Sequence, residues 1–267
     1  MDINCGPKLS ATAQRALRAY GGAELWNGAE TAEAEITMSG LAFLLKRRIT
    51  PARAHITTDI RRPRTIITPI DEEGNTGILD GFTVTLVAPN GEVIATRENV
   101  NRDHLNEQLW HAWDTLDLMY FLGYAFWSYF SLPYQLMRND IDWDEIRDGV
   151  LEAYFPPELP VHSRLQRFYF DQSGLLVRND YHPEMLSVRD DAWAANIVHE
   201  HAEWHGIPYP SVRKVGPTFK RFGTPLSLIK MVGMKVDNWR LHGGATNESS
   251  ALARRAHHRT GAVPTAV

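Results

Sequence analysis

Strict alternation of apolar and polar residues predicts that the first half of the chain is β structure. In Ala32–Ser39 every second residue is apolar, which is the period-two pattern of a strand with one buried face. Similar runs follow at short intervals, and Asn90-Gly91 between two of them is a strong hairpin signal. The runs that predict strands in this half are Ala32–Ser39, Leu41–Arg48, Arg53–Ile60, Arg64–Pro69, Thr76–Leu79, Phe82–Val87 and Glu92–Arg97.

Two segments carry helical patterns instead. Leu9–Tyr20 has a capping serine and an apolar stripe at helical spacing, and two glycines follow it, so it predicts a short N-terminal helix. Leu105–Met137 has the pattern of a long helix whose centre, Leu118–Leu132, contains no charged residue. A proline near its end and several tyrosines argue against stable membrane insertion, so we expect this helix to be buried against the sheet.

The second half of the chain returns to strands that are mostly joined as hairpins. The predicted strands are Gly149–Phe155, Ser163–Phe170, Leu175–His182, Ala194–His205, Tyr209–Val215 and Ser227–Trp239. Because hairpins pair antiparallel, the fold class is α+β and mainly antiparallel β: an unclosed (half) β-barrel wrapped around the long apolar helix, with a short N-terminal helix. We expect one domain over residues 9–241 and a disordered tail over 242–267.

Composition narrows the classes of function. The 267 residues carry a net charge of -4, which offers no strong positive field for nucleic acid. A single cysteine, Cys5, excludes an intrachain disulfide and a thiolate metal cluster, and the absence of an apolar leader suggests a cytoplasmic protein. No phosphate loop or dinucleotide fingerprint is present, so no cofactor is expected. The oligomeric state is left open.

Four short motifs resemble the LolA/LolB-type lipoprotein-carrier superfamily. They are Gly21-Gly22 with Trp26, the Asp-Gly strand entry in Leu79–Val84, the hairpin Phe168–Leu176, and the turn Trp204–Pro210. The resemblance covers residues 10–241 and implies an unclosed β-barrel capped by helices, with an apolar cavity for acyl chains. The predicted long helix exceeds the usual lid of that family and no secretion signal is visible, so the resemblance implies the cavity rather than lipoprotein sorting.

A dense group of histidines lies in one predicted strand. His199, His201, Glu203 and His205 would share a face of it. His-x-His near a carboxylate occurs in iron and zinc sites, but a solvated polar strand face gives the same pattern. We therefore predict no metal, and we keep His199 and His201 as candidate proton-transfer residues.

Two further strands offer candidate chemistry. Asp180 and His182 share a predicted face, where an Asp–His pair in a dry pocket would work as general acid and base. A cross-strand ion pair would explain the same residues without catalysis. Arg167 shares a predicted face with Leu165 and Tyr169. If that face points inward, Arg167 would anchor a ligand oxygen, unless its stem packs there while its head reaches water.

Aromatic residues give the long helix a candidate ligand-binding wall. They are Trp113, Tyr120, Tyr124, Trp127 and Tyr129. Core packing explains most of them, but buried tyrosine hydroxyls need partners and suit the polar end of a ligand.

These observations predict a cytoplasmic binding protein for an apolar small molecule, such as a lipid, polyketide or terpenoid, held between the sheet and the aromatic helix. One alternative is a cofactor-free cyclase or isomerase in the same cavity, with Asp180, His182, His199 and His201 moving protons. A second alternative is a module that docks to a partner or a membrane.

Overall fold

The structure is a computed structural model that describes residues 9–46, 53–100, 112–183, 192–226 and 228–243. The helices in these ranges are α1 Ala11–Ala19, α2 Ala23–Gly28, α3 Leu41–Leu45, α4 Thr115–Phe130 and α5 Leu132–Gln135. The strands are β1 Ala29–Ser39, β2 Ala54–Asp59, β3 Arg64–Thr68, β4 Thr76–Asp80, β5 Thr83–Val87, β6 Val93–Arg97, β7 Asp142–Arg147, β8 Val150–Tyr154, β9 Leu165–Phe170, β10 Leu176–Tyr181, β11 Ala194–Trp204, β12 Ile207–Pro217 and β13 Val232–Gly243.

All 13 strands belong to one antiparallel sheet. Its order is β6-β5-β4-β3-β2-β1-β13-β12-β11-β10-β9-β8-β7. Strands β1–β6 and β7–β13 are two up-and-down meanders, and the pairing of β1 with β13 joins them. The edge strands β6 and β7 do not pair with each other, so the sheet is unclosed. The mainly antiparallel, unclosed architecture predicted from the sequence is therefore confirmed.

Strand β1 shows why the alternating pattern was informative. Ala32, Ala34, Ile36 and Met38 are buried, and the residues between them are more exposed. Apolar side chains at every second position therefore fix which face of the strand joins the core.

The prediction of a strand over Leu41–Arg48 is wrong, because the chain forms helix α3 over Leu41–Leu45. The backbone N–H of Leu41 donates to the carbonyl of Lys230, and that of Ala42 donates to the carbonyl of Met231. A short continuous apolar run fits a helix or a strand equally well, and contacts with a distant loop decide between them.

The predicted helix Leu105–Met137 is shorter in the structure, and residues 105–111 lie outside the described ranges. Helix α4 begins after Asp114, whose side chain accepts from the backbone N–H of Asp117 at 2.8 Å, while the N–H of Asp114 donates to the Asp117 carboxylate at 3.0 Å. This capping box fixes the start of the helix. The last strand is also displaced, running over Val232–Gly243 rather than Ser227–Trp239.

Helix α4 packs closely on β2–β5. The hydroxyl of Thr65 donates to the carbonyl of Gly123 at 2.9 Å, and Gly123 faces Leu79 so closely that a Cβ there would lie 2.7 Å from the Leu79 Cβ. That the sheet wraps around this helix stays a prediction. No helix in the described part of the chain is both long and apolar enough to cross a membrane.

The division into one domain over residues 9–241 and a tail over 242–267 stays a prediction. The proposed tail begins within β13, since residues 242 and 243 belong to that strand. Residues 244–267, where the rest of the predicted tail falls, lie outside the described ranges.

Candidate functional site

An apolar cavity of about 180 Å³ lies beside α4 and the strands β10–β13. Its lining residues are Phe121, Tyr181, Pro183, Ala192, Trp193, Ala194, Val215, Gly216, Pro217, Thr218, Met231 and Val232. An engineered apolar cavity of about 150 Å³ in another protein holds benzene, so the space here accepts a guest about the size of one ring or a short alkyl chain.

A buried aromatic and polar cluster borders this cavity. The hydroxyl of Tyr129 and Nε2 of His162 form a hydrogen bond of 2.9 Å. The His162 ring stacks on Tyr181, with centroids 3.9 Å apart and planes 5° apart. Because Tyr181 also lines the large cavity, the cluster forms part of its wall.

Arg213 on β12 brings a permanent positive charge into this cluster. It is 2% exposed, and its guanidinium carbon lies 4.5 Å from the centre of the Tyr129 ring. No described carboxylate forms an ion pair with it, and its Nη1 has no hydrogen-bond partner among the described residues. Burial lowers the pKa of Arg213 from its usual value, but a guanidinium remains charged in proteins.

Arg213 lines a second, smaller cavity. Its volume is about 20 Å³, enough for one water molecule, and its walls include Tyr20, Trp26, Tyr129 and Trp239. The backbone N–H of Leu176 donates to the Tyr20 hydroxyl at 3.1 Å. Burial raises the pKa of Tyr20 to about 12, so the hydroxyl keeps its proton and can donate it in a hydrogen bond.

His201 also reaches this polar region, since its Nε2 lies 3.4 Å from the Tyr20 hydroxyl. Burial, and after it the charge of Arg213, lower the pKa of His201. His199, its predicted partner, is exposed. Two register irregularities lie between Val198 and His201, so the regular alternation that would place both histidines on one face does not hold there.

A drop in pH is expected to destabilise the protein in part through His201. Its pKa is lowered below the usual 6.5 in the folded protein, so the unfolded chain takes up the proton first. The free energy of unfolding therefore falls as the pH drops below about 6.5, and His201→Gln removes this part of the fall. Chemical denaturation at about pH 7.5 and 5.5 measures the difference. His199→Gln is the control, and an unchanged pH dependence in His201→Gln would contradict the expectation.

Asp180 is buried, and its carboxylate is held by an arginine and a tyrosine. Arg178 donates to both of its oxygens at 2.6 Å, and the Tyr169 hydroxyl donates at 3.1 Å. The His182 ring lies against Trp193, with centroids 6.2 Å apart. The catalytic roles of Asp180 and His182 stay predictions, and the structure places Asp180 in an ion pair.

Arg167 is partly exposed and already has a counter-charge. It donates to the Glu152 carboxylate at 2.6 Å, and its guanidinium lies 3.7 Å from the centre of the Phe222 ring. The face that Arg167 shares with Leu165 and Tyr169 is not the buried one, because Gln166, Phe168 and Phe170 on the other face are buried. Phe168 and Phe170 belong to the core cluster that contains Trp127 and residues of α1, and the sequence of β9 does not reveal these contacts. A role of Arg167 in ligand binding stays a prediction.

The five aromatic residues predicted as ligand-binding are all buried, but they do not form one wall. Tyr120 and Tyr124 pack edge to face at 5.2 Å, and Trp113 contacts Phe121 at 5.1 Å. Trp127 belongs to a separate core cluster with residues of α1, β8 and β9. Of the five, Tyr129 lines the small cavity.

The described ranges contain no clustered set of metal ligands, since no three His, Cys, Asp or Glu side chains come together in them. Arg213 and Tyr20 are site residues that the sequence patterns do not single out. Ser211, Arg213 and Val215 share one face of β12, but only the structure shows that this face is buried.

Comparisons with known proteins give information on the fold alone. No family model matches the chain, and no curated protein matches it. A DUF1329 family protein from Desulfovibrio piger is similar in structure, with a TM-score of 0.50 at 12% identity over 91% of this chain and 98% of that one. The lipoprotein LppX from Mycobacterium tuberculosis gives a TM-score of 0.30 at 10% identity over 86% of this chain and 93% of that one. The first likeness shows the fold alone, and the second is too low to carry an argument. The resemblance to LolA/LolB-type carriers stays a prediction.

Proposed function

We propose that the protein binds an apolar small molecule in the large cavity beside α4. The observation that carries this proposal is the space of about 180 Å³ with almost entirely apolar walls. The cavity is partly open, so an apolar guest removes its apolar walls from water and is bound by the hydrophobic effect. The apolar atoms of the guest also gain van der Waals contacts with these walls.

Binding is favoured over proton transfer by the contacts of the candidate acid. The Asp180 carboxylate is held in place by Arg178 and Tyr169, and Asp180 is not among the described residues that line the large cavity. Binding requires only apolar walls and a few polar groups that orient the guest.

Toluene is expected to raise the melting temperature of the wild-type protein, and Ala194→Phe is expected to abolish the increase. At ten times its Kd, a ligand adds about 1.4 kcal/mol of stability, which corresponds to about 3 °C for a domain of this size. The ring that this substitution introduces would occupy the space beside Val215 and Val232. Differential scanning calorimetry with and without toluene measures the effect.

Thr96→Phe is the matched control, because it adds a ring at an exposed position of β6. It should respond to toluene like the wild type. A wild-type protein that does not respond would contradict the proposed function, and a response retained in Ala194→Phe would contradict the location of the site.

A further inference from the structure

Arg213 carries a positive charge that the described structure does not neutralise. It is 2% exposed, and none of the described carboxylates pairs with it. Its Nη1 lies in the interior without a hydrogen-bond partner in the described ranges. Burying a charge without a counter-charge is unfavourable, so such a site gains stability from an anion.

The position of Arg213 connects this charge with the apolar cavity. Arg213 and Val215 are alternate buried residues of β12, so they project from the same face about 7 Å apart. Val215 lines the large cavity and Arg213 lines the small one. The two cavities share no lining residue, so one guest contacts both residues only where it extends from the large cavity along β12 to Arg213.

The groups around Arg213 favour an oxygen anion. The guanidinium offers planar donors that match a carboxylate. The Tyr20 hydroxyl accepts from the backbone N–H of Leu176 at 3.1 Å and lies 3.4 Å from Nε2 of His201, so its proton can be donated to that nitrogen or to an anion beside Arg213. The small cavity, at about 20 Å³, has room for about one water molecule, so it accepts one oxygen of a carboxylate rather than a whole phosphate.

We propose that the guest is an amphiphilic carboxylic acid, whose apolar body fills the large cavity and whose carboxylate pairs with Arg213. This inference rests on the proposed function and specifies its ligand class. It assigns Arg213 as the residue that distinguishes the acid from a neutral molecule of the same length.

Isothermal titration calorimetry with octanoate, 1-octanol and octyl phosphate tests the inference. The wild-type protein is expected to bind octanoate about tenfold more tightly than 1-octanol, which is the usual value of one charge-assisted hydrogen bond. Arg213→Met is expected to bind both about equally, through loss of octanoate affinity. Methionine is a suitable replacement because exchanging a buried charge for an apolar side chain need not destabilise a protein.

Arg240→Met is the matched control, since Arg240 is exposed on β13 and should leave the preference for octanoate unchanged. The comparison of octanoate with 1-octanol on the wild-type protein tests the carboxylate inference even if Arg213→Met does not fold. Equal affinity for the two would overturn the carboxylate inference and leave the proposed function standing. Tighter binding of octyl phosphate than of octanoate would also overturn it. A wild-type protein that binds neither octanoate, 1-octanol nor toluene would overturn the proposed function itself.

Discussion

Replacing Asp180 with alanine is expected to lower the free energy of unfolding by about 3 kcal/mol or more, the usual cost of breaking a buried ion pair. The Asp180 carboxylate is fully buried and accepts from Arg178 and Tyr169. Without it, the Arg178 guanidinium keeps its contacts with the carbonyl of Gly223, at 2.5 Å, and with the Tyr169 ring, but loses its counter-charge. Urea denaturation measures the loss.

A double variant that replaces both Arg178 and Asp180 shows whether the loss of stability in Asp180→Ala comes from the uncompensated charge of Arg178. Burial raises the pKa of the Asp180 carboxyl, and the Arg178 charge offsets only part of this increase, so the ionised pair is expensive to bury. The double variant Arg178→Met/Asp180→Leu should therefore be more stable than Asp180→Ala. Glu152→Ala is the control, because its pair with Arg167 is partly exposed and should contribute about 1 kcal/mol or less. Equal losses for Asp180→Ala and Glu152→Ala would contradict this account.

Gly123→Val is expected to destabilise the protein by about 3 kcal/mol, because helix α4 has no room to move away from the sheet. A Cβ at position 123 would lie 2.7 Å from the Cβ of Leu79, which cannot rotate away. The hydrogen bond from Thr65 to the carbonyl of Gly123 holds the helix at this distance. Thermal and urea denaturation both report the change.

Two further variants distinguish a steric effect from helix propensity. Ser128→Val introduces the same side chain at a half-buried position of α4 and should cost about 1 kcal/mol or less. Leu79→Gly combined with Gly123→Val removes every Leu79 side-chain atom that crowds position 123, its Cβ included, so the double variant should lose less than the sum of the single losses. If Gly123→Val were as stable as the wild type, the close approach of α4 to β4 would be wrong.

Local patterns were sufficient to predict most strands. The alternation in β1 and the Asn90-Gly91 turn between β5 and β6 each depend on a few neighbouring residues, and both are found in the structure. The apolar run at Leu41 was ambiguous because its helical form depends on contacts with Lys230 and Met231, far away in the chain. Its conformation is therefore a tertiary property that the sequence pattern does not contain.

The candidate site was harder to predict than the fold. Tyr129 was selected from its helix, but its partner His162 comes from the segment before β9. The ion pair of Asp180 was accessible from the sequence, since Arg178 two residues earlier lies on the same strand face. Arg213 was overlooked because a buried arginine and an exposed one look alike until the opposing elements are known.

The pairing of β1 with β13, which joins the two halves of the sheet, forms late while the chain is being synthesised. Strand β1 pairs with β13, so that Ile36 lies opposite Val236. Each meander forms by pairing of strands that are neighbours in the sequence. The pairing of β1 with β13 instead needs contacts between distant parts of the chain, which form slowly. Until β13 leaves the ribosome, the N-terminal meander carries β1 as an unpaired edge, which is a site of aggregation. Glu30, Glu33 and Glu35 place negative charges along that edge and would repel a second nascent chain in the meantime.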